Sequence, residues 1–154
     1  MQFCNMEKLN FPEFDFYFKS KENKRYIFDP VRKKWLVLTP EEWVRQHCIQ
    51  FLLKIKNVPI GLIQIEKKLS VNNTEKRYDL VVFKPDQSIY VLIECKSPSV
   101  KLTQQTFDQI SRYNSVLKSN YLMLTNGFTH FYCKIDYKKG QYLFMTDLPK
   151  YYSN

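Results

Sequence analysis

Asp79, Glu94 and Lys96 are the residues of this chain whose types and spacing can do chemistry. Glu94 and Lys96 end the stretch IYVLIECK (89–96), whose first five residues suit a sheet interior. If YDLVVFK (78–84) and this stretch form an antiparallel hairpin around Pro85 to Ser88, with Lys84 facing Ile89, then Val81 pairs with Leu92 and Asp79 lies opposite Glu94. Directly opposed residues have Cβ atoms about 4.5–5.5 Å apart, and two carboxylates that close force one of them to keep a proton. A divalent cation removes the conflict. Mg²⁺, for which Mn²⁺ can substitute, takes oxygen ligands and keeps room for water and phosphate oxygens. Asp79, Glu94 and the backbone carbonyl of Cys95 are the expected ligands. Lys96 follows Glu94 by two and shares its face of the pleat. Its ammonium can orient or help deprotonate an attacking water, whose pKa the metal lowers.

The elements that position these residues can be read on either side. KRYIFDPVRKKWLVL predicts a hairpin over 25–38, turning at Asp29-Pro30, after an irregular or weakly extended arm over 1–24. TPEEWVRQHCIQFLLKIK predicts a helix: Thr39 caps it, Pro40 suits its first position, and Glu42 completes a capping box. Val44, Cys48, Phe51, Leu52 and Ile55 recur at helical spacing and face the core. Strands follow at 61–69, 78–84 and 89–96, with NNTEKR and PDQS as linkers. A second helix runs over about 103–118, with Phe107, Ile110, Asn114 and Leu117 on one side. Two strands joined around Asn126-Gly127 come next, and QYLFM pairs at an edge. The expected fold is α/β (α+β): a mixed β-sheet flanked by helices in the order α-β-β-β-α-β-β, after an N-terminal β-hairpin. The expected division is one domain over 1–154, with its core at 39–135 and a C-terminal edge at 136–154.

Composition narrows the function classes. A chain of 154 residues suits one core. Apolar residues at 44% exclude a disordered chain, and no apolar run approaches the ~18 residues of a membrane span. MQFCNMEKLNF carries an acid and no apolar h-region, so the expected compartment is the cytoplasm. Cysteines at 4, 48, 95 and 133 match neither zinc spacing nor a compact disulfide framework and are expected as free thiols. A net charge of +9 favours a polyanionic partner, with nucleic acid ahead of a membrane surface.

The spacing of Asp79, fourteen residues, then Glu94-Cys95-Lys96 resembles the PD-(D/E)xK nuclease superfamily. Within it, the phrases TPEEWVRQ, KRYDLVVF, ECKSP, QISRYN and LTNG, in that order over about residues 25 to 135, resemble the N-terminal nuclease domain of type I restriction enzyme R subunits. The resemblance implies a restriction-endonuclease-like core and Mg²⁺-dependent hydrolysis of DNA. Asp79 and Glu94 would hold the metal, and Lys96 would assist the water. Gln109 and Tyr113 match a Q-x-x-x-Y element that braces the metal site or touches the DNA backbone, and Glu42 matches an acidic position that can complete the metal shell. Tyr78 stands where the superfamily often has proline.

Plainer readings stand beside these. Asp79, Glu94 and Lys96 alone are also what a surface salt-bridge cluster looks like, and Cys95 points to the opposite face as a packing residue. Glu66 competes as an acid, and His47 and His130 read as structural. Arg45, Gln46, Arg77, Lys101 and Arg112 are candidate phosphate contacts or a solvated charged face. The three glycines form no G-x-x-x-x-G-K-[ST] loop, so no nucleotide is expected on this chain. A separate motor or specificity subunit is an expected partner. The rival class is a non-catalytic DNA-binding or assembly module that keeps the fold; a nuclease acting on RNA is a third reading.

Overall fold

A computed structural model describes residues 6–152; Cys4 and the start of the expected arm lie outside them. Two sheets form. Strands β1 (Phe18–Lys21), β2 (Lys24–Asp29) and β3 (Lys34–Val37) make an antiparallel three-stranded sheet in that order. The expected hairpin is β2–β3; the correction is β1, which lies in the arm. β1 adds through a tight turn at Glu22 and Asn23, both at positive φ. Asparagine visits that region at low cost because its short polar side chain can hydrogen-bond locally.

The larger sheet is mixed: β4 (Ile63–Val71), β5 (Thr74–Phe83), β6 (Ile89–Cys95), β7 (Tyr121–Thr125), β8 (His130–Asp136) and β9 (Gln141–Met145), side by side in that order. Only β6 and β7 pair in parallel. The chain returns between them through α2 (Gln104–Ser111) and the single turn α3 (Asn114–Leu117), which cover one face. Helix α1 (Pro40–Gln50), continued by a π-helical turn over Phe51–Ile55, covers the other. Val44, Cys48, Phe51 and Leu52 are buried there against Leu80, Val82, Val91 and Ile93. Ile110 packs against Val81, Leu92 and Leu122 on the far face. The order α-β-β-β-α-β-β is the observed one, and β9 is the expected edge strand.

Several details differ from expectation for identifiable reasons. The β4–β5 turn is Asn72-Asn73 alone, both at positive φ, so Thr74–Arg77 is strand rather than linker. The second helix breaks at Arg112 and Tyr113. Beyond the break, buried Asn114 donates to the Tyr137 hydroxyl (2.9 Å) and accepts from the Ser119 backbone (3.0 Å), which ties α3 to the β8–β9 turn. Val81 does pair with Leu92, but Phe83, not Lys84, faces Ile89. A bulge after Val82 absorbs the extra residue and leaves the register near the site intact.

Candidate active site

The β5–β6 ladder stops at Leu80 and Ile93, and beyond it side chains replace backbone partners. The Asp79 N–H donates to Glu94 Oε1 (3.3 Å), and the Cys95 N–H donates to Asp79 Oδ2 (2.7 Å). Each carboxylate thus satisfies a backbone donor of the opposite strand. The change of face in the neighbouring ladder falls here too. Ile65 and Leu80 pack toward α1, while Leu69 and Tyr78 pack toward α2. Between them stands Glu66 at φ +52°, with its flanking residues paired to those flanking Asp79. A non-glycine residue in that region costs on the order of 1 kcal/mol, and such strain concentrates at functional sites.

Asp79 turns toward α1 and meets Arg45, whose Nη2 is 3.1 Å from Asp79 Oδ1. Arg45 also holds Glu42 at 2.8 Å and approaches Glu41 at 3.7 Å and Glu66 at 3.8 Å. Burial works against its charge, but Glu42 and Asp79 outweigh it and its pKa lies above the ordinary arginine value. Arg32, from the β2–β3 turn, reaches Glu42 at 3.1 Å and Glu66 at 3.6 Å while its Nε binds Asp29 at 2.7 Å. Gln46 donates to both Asp29 and Glu42, each at 3.0 Å. Asp29, Glu41, Glu42, Glu66, Asp79 and Glu94 are therefore six carboxylates around four cations: Arg32, Arg45, and the Lys76 and Lys96 whose charges act on Glu94.

Acid remains in excess, and Glu94 registers it. Burial first, and the charge of Asp79 second, push its pKa up to about 7, against the opposing pull of Lys76, the Asp79 N–H and Lys96. Burial and Asp79 raise Glu41 as well, while Arg45 and Lys96 lower it. Beside these acids opens a cleft of about 470 Å³ lined by Glu41, Lys96, Gln105, Thr106 and Gln109. Tyr113 stands at the break between α2 and α3. It lies near Tyr78, whose hydroxyl is buried without a hydrogen-bond partner and is pushed up to about 12 by burial, Glu94 and Tyr113.

The fold thus gathers Asp79, Glu94 and Lys96 at one sheet end, with Gln109 beside Lys96. Glu42 departs from its expected part. Its N–H does donate to Thr39 Oγ1 (3.1 Å), but its carboxylate is consumed by Arg32, Arg45 and Gln46 instead of returning to the cap. Glu41, one residue earlier, faces the cleft. Arg45 is also corrected: at 7% exposure and bound to acids, it is an internal counter-ion rather than a phosphate contact. Arg77, Lys101 and Arg112 are exposed. Cys95 is buried and donates its thiol hydrogen bond to the Cys48 Sγ at 3.6 Å without forming a disulfide, and Cys133 is also free. His47 Nδ1 lies 2.8 Å from the Trp43 carbonyl, and His130 lies between Thr125 and the Asn10 carbonyl, both in structural roles. The sequence reading missed Glu41, Asp29 and Arg32. Glu41 carried a signal, an acid one residue before a named candidate at a helix start. Asp29 and Arg32 carried none, because only tertiary folding brings their turn to α1.

Among the described residues no three His, Cys, Asp or Glu side chains converge tightly enough to hold an ion by themselves. The donor chemistry still fits a hard cation of the Mg²⁺ kind, which needs only one or two carboxylates beside water and phosphate oxygens. A buried acid pushed toward neutrality by its neighbour is the electrostatic state that such a cation relieves.

A mixed sheet with one helical layer on each face, ending in an acid pair and a lysine beside a cleft, is a nuclease-like α+β fold. Residues 40–149 match the family described as Type I restriction enzyme R protein N terminus (HSDR_N), and the chain belongs to that family. No curated protein matches it. No helix among the described residues is long and apolar enough to cross a membrane.

Proposed function

We propose that this chain is a metal-dependent endodeoxyribonuclease domain that hydrolyses a phosphodiester of DNA. The observation that carries the reading is the clasp of Asp79 and Glu94 at the end of the β5–β6 ladder, next to Lys96, with Glu94 raised by burial and by Asp79. Asp79 and Glu94, with the carbonyl of Cys95, would hold Mg²⁺ or Mn²⁺, which supplies Lewis-acid polarisation of a phosphate oxygen and a lowered pKa for water. Glu41, not Glu42, is the acid of α1 placed to join them. Lys96 lies on the cleft wall, where its ammonium orients the attacking water and offsets charge developing on the phosphoryl oxygens. Gln109 positions the DNA backbone beside Lys96, and Tyr113 stands near Tyr78 on the side of Glu94, where it touches the backbone or braces the metal site. Arg77, Lys101 and Arg112 contact phosphates from the exposed surface. The family to which the chain belongs suggests that it acts alongside a motor or specificity subunit.

The second reading, a non-catalytic DNA-binding or assembly module, draws on one observation: the Arg45 guanidinium already neutralises Asp79. Cleavage of supercoiled plasmid and of single-stranded DNA and RNA with Mg²⁺ or Mn²⁺, beside Asp79→Ala and Lys96→Ala, separates the readings. Cleavage lost in both variants supports the nuclease, and the polymer cut identifies the substrate. No cleavage, together with no Mn²⁺ binding by calorimetry, favours the module.

A further inference from the structure

We propose that the outer face of the three-stranded sheet is a stacking platform for single-stranded nucleic acid, separate from the cleft. The strand register defines that face. Lys19 stands opposite Tyr26 and Tyr26 opposite Val37; Lys21 stands opposite Lys24; Phe28 stands opposite Trp35. The Phe28 N–H donates to the Tyr17 carbonyl (3.0 Å), which continues the ladder and completes a row of three aromatic residues, Tyr17, Phe28 and Trp35. Pleat alternation sends Phe18, Ile27, Asp29 and Leu36 to the other face, where Ile27 and Asp29 are buried.

A core-forming sequence does not leave this face open. Tyr17 is 73% exposed, Trp35 37% and Val37 46%. Phe28 and Trp35 meet at 5.3 Å with their rings tilted 66°, and Tyr26 supplies a further ring in the adjacent row. The Lys19 ammonium lies 4.6 Å from the Trp35 ring centroid and 6.0 Å from that of Tyr26, so those ring faces are turned outward and already attract a cation. No Asp or Glu occupies an outward position of the three strands, while Lys19, Lys21 and Lys24 are all exposed there.

The occupant follows from that chemistry. Exposed rings at strand spacing accept the flat faces of successive bases, and interleaved ammonium groups accept the phosphates between them. A duplex keeps its base faces stacked inside and cannot use the rings; a single strand can. A bilayer interface calls for an apolar face on a basic amphipathic element, and here the one outward aliphatic residue is Val37. The platform also leads to the acid cluster. β2 runs from it into the turn that delivers Arg32 to Glu42 and Glu66, and β3 returns from that turn with exposed Lys33, Lys34 and Trp35. A strand held there is presented beside the acid cluster, although binding requires neither metal nor cleavage.

The test is fluorescence anisotropy of labelled oligothymidylate with the full chain in EDTA, beside a duplex of equal length and anionic vesicles. Trp35→Ala and Tyr17→Ala are each expected to weaken single-strand binding by about 5- to 100-fold. Tyr17 projects into solvent, so its variant keeps the fold even if Trp35→Ala does not. Lys19→Ala is expected to flatten the salt dependence by about 0.7 in logarithmic slope. Because the assay runs in EDTA, where no metal-dependent cleavage proceeds, any loss of binding in these variants is read apart from the catalytic reading. Photocrosslinking of bromodeoxyuridine oligonucleotide to Tyr17 or Trp35 would place the bases directly. Single-strand affinity unchanged in Tyr17→Ala, equal dependence of duplex binding on these residues, or binding to vesicles but not to oligonucleotide would each overturn the proposal.

Discussion

At Glu94 a carboxylate stands where charge is expensive. Its folded pKa of about 7 exceeds the ordinary 4.5, so the folded chain binds this proton more tightly than the unfolded chain. Below about 4.5 both states hold the proton and nothing is lost. As pH rises from there through about 7, stability falls, and above that the full cost remains. Glu94→Gln removes the charge and keeps an acceptor for the Asp79 N–H. It is expected to stabilise the metal-free protein by on the order of 2 kcal/mol at about pH 8 and by little at about pH 4, while abolishing cleavage. Thermal melts at the two pH values, beside a plasmid assay, check both halves; equal melting points at the higher pH would remove the burial argument. Arg45 is the opposite case. Arg45→Met strips Glu42 and Asp79 of their shared cation and should cost about 3–5 kcal/mol at neutral pH. If a divalent cation can take the place of the guanidinium beside Asp79, Mg²⁺ or Mn²⁺ will raise the melting point of this variant more than that of the parent. A flat response would speak for the non-catalytic module.

Among elements, the loop between β7 and β8 shows how tightly the arm is bound to the core. Gly127 has φ +91°, and a Cβ there would stand 2.8 Å from Leu9 and 3.1 Å from Val44. The Asn10 N–H donates to its carbonyl at 2.8 Å. Gly127→Ala meets both a strained backbone and a filled space and is expected to cost about 1–3 kcal/mol. Hydrogen exchange should show residues 9–11 released before the sheet. A neutral result would mean that Leu9 does not seat against this loop. The Asn126-Gly127 turn was legible in the sequence because it rests on local chemistry, and so were the α1 cap, the β4–β6 strands and the register at Val81 and Leu92. What was not legible depended on distance. The break in the second helix follows from Asn114 reaching Tyr137, and the direction of Asp79 follows from Arg45 across the layer. Glu42 shows the same limit: its spacing from Thr39 fitted a capping box, but two arginines outcompete the cap for its carboxylate.

Across the whole molecule, the charge of +9 sits against a site in which carboxylates outnumber cations, so the excess positive charge must lie elsewhere on the surface. That division suits a nuclease, which needs an acidic centre for a cation and a basic surround for a polyanion. Duplex DNA should bind through released counter-ions, with log affinity falling by about 0.9 in slope for each phosphate neutralised. Arg77, Lys101 and Arg112 are exposed, and replacing all three with alanine is expected to flatten the slope for duplex by about 2 to 3. The same substitutions should leave the thermal midpoint unchanged, because none of the three has an ion-pair partner among the described residues. Titrations of labelled duplex between about 50 and 200 mM salt give that slope directly. An unaltered slope would put the duplex on another face and leave the cleft as a site that DNA reaches only when a partner delivers it.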